Sequence, residues 1–139
     1  MNAIKAFHRQ EHGNAGVLLA TLTDVQSFLD ELRAESIKYD APLLAQLYVF
    51  DNADTPELSL GVHNDRGVLR FTSAASPGPW YSLGDESLGD DEIDYSYMDN
   101  ATPFQMDNHV PYEDIRRAAE HFFESRGARP TAIQWRKYA

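Results

Sequence analysis

The chain has 139 residues, 42% of them hydrophobic, with 22 acidic side chains against 12 Lys plus Arg and a formal net charge of −10. That length suits one domain, residues 1–139, burying roughly two-thirds of its unfolded surface, and the absence of cysteine excludes disulfides and thiolate metal sites. The charge argues against direct binding of nucleic acid or anionic membrane and in favour of a basic protein partner.

The first ten residues show no charged leader followed by a long apolar run, and the densest apolar stretch, residues 43–50, is far short of the ~20 residues of a membrane helix. A soluble, cytoplasmic protein is the expectation, and a cysteine-free chain suits a reducing compartment.

Residues 3–9 alternate as a first strand, with Ile4, Ala6 and His8 opposite Lys5 and Phe7. A turn at His12-Gly13-Asn14 leads to a short apolar run, residues 16–22. Thr23 reads as a helix N-cap, with Gln26 completing a capping box. Val25, Phe28, Leu29 and Leu32 then mark one buried helical face, and the helix is expected to end within residues 34–37, ahead of Asp40-Ala41-Pro42.

Residues 44–50 read as a buried strand. Residues 57–63 and 68–73 form the clearest hairpin, around a loop at Asn64-Asp65-Arg66-Gly67 in which Gly67 supplies positive φ. Residues 80–83 and 93–98 are two further strands, joined by an acidic loop at 84–92. Pro103 makes residues 99–109 read as irregular.

The last third is the most legible. Pro111 suits the first turn of a helix, with Glu113 and Asp114 at its positive end. Ile115, Ala118, Ala119, Phe122 and Phe123 form an apolar stripe, Gly127 is placed as a C-terminal cap, and Pro130 blocks continuation. Residues 131–135 close the chain as a strand, with Thr131, Ile133 and Trp135 on one face. The predicted fold is α+β: six to eight mainly antiparallel strands with two helices packed on one face.

Charge is unevenly placed. Between Phe71 and Ile115 there is no Lys or Arg, yet Asp85, Glu86, Asp90, Asp91, Glu92, Asp94, Asp99, Asp107, Glu113 and Asp114 all lie there. Twelve acids and twelve bases share the rest. The same region interleaves Trp80, Tyr81, Tyr95, Tyr97 and Met98, the kinds of side chain that anchor interfaces. Alternation through Ile93, Tyr95 and Tyr97 sends those rings to the core. Partner contact is therefore assigned to Asp85, Glu86, Asp90, Asp91, Glu92, Asp94, Asp99 and Tyr81.

Catalytic signatures are sparse. His8-Arg9-Gln10-Glu11-His12 matches the zinc-protease pattern H-x-x-E-H, which needs both histidines one helical turn apart. Here the motif straddles a strand end and a turn, and in an extended strand the two histidines would stand about 13 Å apart. A metal-dependent hydrolase using His8, Glu11 and His12 is kept as an alternative. The carboxylates from Asp90 to Asp94 lack EF-hand spacing. Phosphate-cradling glycine motifs and a nucleophile elbow are absent. We expect no catalytic residue, metal or cofactor.

The run from Val110-Pro111-Tyr112-Glu113 through Phe122-Phe123 to Gly127-Ala128-Arg129-Pro130 and Trp135 resembles immunity protein family one of bacterial polymorphic toxin systems. Glu57-Leu58-Ser59-Leu60-Gly61-Val62, Arg66-Gly67-Val68-Leu69 and Asp94-Tyr95-Ser96-Tyr97 are similar to that family's central strands, and Leu22-Thr23-Asp24-Val25 to its early helix. The resemblance implies a small cytoplasmic α+β domain that binds a cognate toxin one-to-one, often a nucleic-acid deaminase or nuclease, and neutralises it without being an enzyme. Such toxins need a basic substrate groove, and the acidic segment is the natural cover for one. Phe122, Pro130 and Trp135 match the motif but read as core. A regulatory domain binding another basic partner is a further alternative.

Overall fold

A computed structural model describes residues 4–8, 16–98 and 100–137. In chain order it runs β1 (Ile4–Phe7), β2 (Val17–Leu19), α1 (Leu22–Tyr39), β3 (Leu43–Val49), β4 (Glu57–His63), β5 (Arg66–Thr72), β6 (Trp80–Leu83), β7 (Glu92–Tyr97), β8 (Asn100–Gln105), β9 (Val110–Pro111), α2 (Tyr112–Glu124) and β10 (Gln134–Lys137). The main path across the sheet is β10-β6-β5-β4-β3-β1-β2, antiparallel at every step.

Side-chain alternation divides the sheet into two faces. Leu47, Leu58 and Phe71 lie in one cross-strand row and Ala45, Leu60 and Leu69 in the next. All point into a core with Val25, Phe28, Leu29 and Leu32 of α1 and Ile115, Ala118, Ala119 and Phe122 of α2. Both helices therefore cover one face, as expected. Gln26 ties them together, its Nε2 donating to Glu120 Oε2 at 3.0 Å.

The opposite face is covered in part by the β7–β8 hairpin. Leu44 and Val68 flank Gly61 across the strands and meet Tyr95 and Phe104 in a second, smaller core. This is why β4 is buried along almost its whole length rather than at alternate positions.

Several local expectations are corrected. The α+β class stands as expected, but the described residues form ten strands, somewhat more than about six to eight, because residues 100–105 are β8 and residues 110–111 are β9. Pro103 is tolerated because β8 pairs with β7 alone, and an edge strand can spare a ladder donor. The N-cap of α1 lies two residues before Thr23. Thr21 is the N-cap, its Oγ1 accepting from Asp24 N at 3.1 Å while Asp24 Oδ2 accepts from Thr21 N at 3.1 Å, so a carboxylate at the positive helix end closes the box. The helix also continues to Tyr39, where Asp40 turns left-handed at φ 47°. Gly67 lies inside β5 and is required by close approach: a Cβ there would stand 2.0 Å from the Gly61 carbonyl oxygen. Asn64 takes the positive φ of the turn instead, at 61°.

At the end of α2, Arg126 N donates to Phe123 O and Gly127 N to Phe122 O. Arg126 holds the left-handed position at φ 56°, and Gly127 follows it in a Schellman closure. The last strand begins at Gln134 rather than Thr131, and Trp135 Nε1 donates back to Pro130 O at 2.7 Å.

Candidate partner-binding surface

The acidic loop is fastened at its base. Gly84 N donates to Asp107 O, Asp107 N to Gly89 O and Met106 N to Asp91 O, at 2.7–3.0 Å. Gly84 makes the approach possible, since a Cβ there would stand 1.8 Å from His109 O. Within the loop, residues 86–88 make a short 3-10 turn capped by Asp85, which accepts from Ser87 N at 2.9 Å and Ser87 Oγ at 2.6 Å. The Ser87 hydroxyl, then its backbone N–H, hold the Asp85 carboxyl below its usual range.

This fastening sends the acids outward. Asp85, Glu86, Asp90, Asp91, Glu92 and Asp94 are all exposed, joined by the exposed apolar side chain of Leu88. Asp99 lies outside the described residues. Tyr81 is half-buried on β6, edge-on to Phe104 with ring centroids 5.7 Å apart.

Tyr81 and Glu92 meet at a groove of about 290 Å³, lined also by Pro79, Pro103, Phe104 and Gln105. Its lining mixes rings and prolines with the amides of Gln105 and Asn108 and one carboxylate, Glu92. That combination accommodates a long cationic side chain, whose stem packs on rings while its head reaches an acid. Pro103, Phe104 and Gln105 were missed by sequence reading because Pro103 masked the strand they belong to. Phe104 was recoverable from its place opposite Ile93 in the hairpin.

Asp107 does not join the surface. It is buried, and Arg136 Nη2 lies 2.9 Å from its Oδ2. Arg136 also donates to Gln105 Oε1. The acid-only segment is thus met in space by a base from β10, which linear charge counting cannot reveal. Glu113 and Asp114 are likewise remote, in the first turn of α2, where Asp114 faces Arg117 at 3.9 Å.

Beneath the surface, Tyr95 and His109 hold the hairpin to the sheet. The Tyr95 hydroxyl stands 2.9 Å from His109 Nε2, and His109 Nδ1 stands 3.0 Å from Met106 O. A carbonyl only accepts, so Nδ1 carries the hydrogen and Nε2 accepts from tyrosine. Burial lowers the His109 pKa and raises that of Tyr95.

Farther along the same sheet face the side chains are polar. Tyr48 donates to Gln46 Oε1, and Ser59 to Glu57 Oε1 at 3.5 Å. Burial raises the Glu57 carboxyl pKa, which Arg70 partly offsets.

His8, at the end of β1, packs edge-on to Phe28 at 5.2 Å. Glu11 and His12 lie outside the described residues. Among the described residues no group of three or more His, Asp or Glu is placed to hold a metal ion, and no helix is long and apolar enough to cross a membrane.

A family model described as Immunity protein Imm1 matches residues 13–137, which include the acidic loop, the groove and both helices. Comparison with curated proteins finds no match.

Proposed function

The chain belongs to the Imm1 immunity protein family, and from that premise we propose that it binds one copy of a cognate bacterial toxin and neutralises it by occupation, with no chemistry of its own. The toxin in this reading acts on nucleic acid in the cytoplasm, as a deaminase or nuclease, and presents a basic groove.

The observation that carries the reading is the fastened acidic loop beside the groove at Tyr81 and Phe104. Six exposed carboxylates from Asp85 to Asp94 supply charge that steers a basic partner and competes for cations that would hold phosphates. Tyr81, Phe104 and Glu92 supply an anchor point for one cationic side chain. Because the loop's backbone hydrogen bonds are made within the protein, little ordering entropy remains to be lost on association.

The test is co-purification of the tagged full chain with the product of the adjoining gene, together with an assay of that product on nucleic acid. A one-to-one complex and loss of toxin activity at stoichiometric amounts are expected. Turnover by the purified chain alone, or inhibition that does not track complex formation, would overturn the reading.

A further inference from the structure

Tyr48 stands in the middle of a row of side chains that crosses five strands on the sheet face opposite the helices. In register the row is Leu18 on β2, Lys5 on β1, Tyr48 on β3, Glu57 on β4 and Thr72 on β5. At ~4.8 Å per strand it spans roughly 19 Å. Leu18 is 57% exposed, and Phe50, just past β3, is 42% exposed. Lys5, Tyr48, Glu57 and Thr72 each keep part of their surface accessible.

The apolar members of this row are clustered, not scattered. The Tyr48 and Phe50 ring centroids are 6.4 Å apart, and Lys5 Nζ lies 5.2 Å from the Phe50 centroid. Tyr97, at the end of β7, is part-exposed, and burial, then the nearby Glu57 carboxylate, raises its pKa. The next row runs Gln46, Ser59, Arg70 and Tyr81, and Tyr81 lines the groove beside the acidic loop. The aromatic patch and the groove are therefore joined by one row of side chains.

Size says that a partner held at the groove must reach farther. Loop residues 84–92, Asp94 and the groove lining together fall short of the roughly 20–30 residues a side of a stable protein interface. The outer face of the β7–β8 hairpin supplies no anchor: Glu92, Asp94, Ser96, Ala101 and Pro103 are its exposed side chains, and none is large and apolar or aromatic. Interface anchors are commonly aromatic, and on this side of the sheet Tyr48, Phe50 and Tyr97 provide them. A second copy of this chain is a poor occupant, since each copy carries a net charge of −10 and like charge opposes association.

We propose that the toxin, steered by the acidic loop and seated at the groove, is held by this sheet face, with Leu18, Tyr48, Phe50 and Tyr97 as its anchors. The proposal rests on the toxin reading and adds a division of labour to it: the acids set kon, and the sheet face sets koff. The partner surface that fits is apolar or aromatic at its centre, with basic side chains on the flank that meets the loop.

The experiment measures kon and koff of the full chain with the product of the adjoining gene. The wild type is compared with combined Leu18→Ala and Phe50→Ala, and with Tyr97→Ala. The first variant changes only exposed side chains, so it keeps the test valid if the second unfolds, and urea midpoints check both. Combined Ile37→Ala and Tyr39→Ala, on exposed side chains at the end of α1, is the matched control. In the sheet-face variants koff should rise by about tenfold or more, with kon within about twofold, and the control should match the wild type. A wild-type complex whose koff ignores the sheet face, or rises equally in the control, overturns this proposal and leaves the toxin reading standing. Absence of any wild-type complex overturns the toxin reading and this proposal with it. Dimers of the free chain that Leu18→Ala and Phe50→Ala dissolve, read by sedimentation, would assign the face to a second copy instead.

Discussion

The Tyr95 ring occupies the space that a side chain on Gly61 would need: a Cβ there would stand 2.6 Å from Tyr95 Cδ2 and 2.8 Å from Val68 Cγ2. A bare position on β4 is therefore what lets the β7–β8 hairpin lie flat on the sheet, and the hairpin in turn carries Glu92, Asp94 and one wall of the groove.

Gly61→Ala should cost about 1–3 kcal/mol, the usual range for overpacking a filled core. Urea unfolding measures it. Tyr95→Leu, which removes the ring, should recover part of that cost in the double variant, because side chains in contact do not behave additively. Strict additivity would mean that the ring moves aside freely and that Gly61 is not what seats the hairpin.

The His109 ring that meets the Tyr95 hydroxyl is held toward its neutral form by burial. The unfolded histidine takes up its proton near pH 6.5, whereas burial of the folded imidazole holds its pKa below that value. Between the two values the unfolded chain binds more protons, so stability falls as pH drops below about 6.5. One group can contribute a slope of at most about 1.4 kcal/mol per pH unit. Glu57 acts with the opposite sign at more acid pH, since its folded carboxyl is raised. The clean observable is therefore the difference between the wild type and His109→Gln in urea midpoint across pH 7.5 to 5. The wild type should lose more stability than the variant. A parallel pair of curves would show that His109 does not sense pH.

The start of α1 separates what the sequence made legible from what it did not. Thr21 and Thr23 both stand three residues before a residue able to close a capping box, Asp24 and Gln26 respectively. Only tertiary packing distinguishes them, because Gln26 is drawn away to Glu120 on α2. Thr21→Ala should cost about 1 kcal/mol, the usual value of an N-cap, and Thr23→Ala much less. Thermal or urea unfolding of the two single variants decides it, and the reverse ranking would restore Thr23 as the cap.

The same logic governs the rest. Elements with one buried face were readable: the stripe Ile115, Ala118, Ala119 and Phe122 and the β4–β5 hairpin stand where periodicity put them. Pro103 hid β8, because proline's missing donor is harmless on an edge and local propensity carries no knowledge of edges. With β8 went three residues that line the groove, Pro103, Phe104 and Gln105. The outward acids were legible as charge, but the neutralisation of Asp107 by Arg136, 29 residues apart, was not.

That distinction gives the surface its sharpest test. Asp107→Ala should cost about 1.5–3 kcal/mol in folding stability, because it removes a charge-assisted hydrogen bond to the half-buried Arg136 guanidinium. Combined Asp90→Asn, Asp91→Asn and Glu92→Gln should leave stability within ~0.5 kcal/mol, since all three side chains are exposed. Its effect should fall on association with the toxin instead. At low salt kon should drop by about tenfold or more, with a shallower dependence on ionic strength, because long-range charge acts on encounter. Glu92→Gln alone should in addition raise koff, since Glu92 is the carboxylate at the groove. Stopped-flow binding at several salt concentrations reads both rates. Unchanged kon in the triple variant would remove the acidic loop from recognition and leave the groove, or another face of the sheet, to carry it.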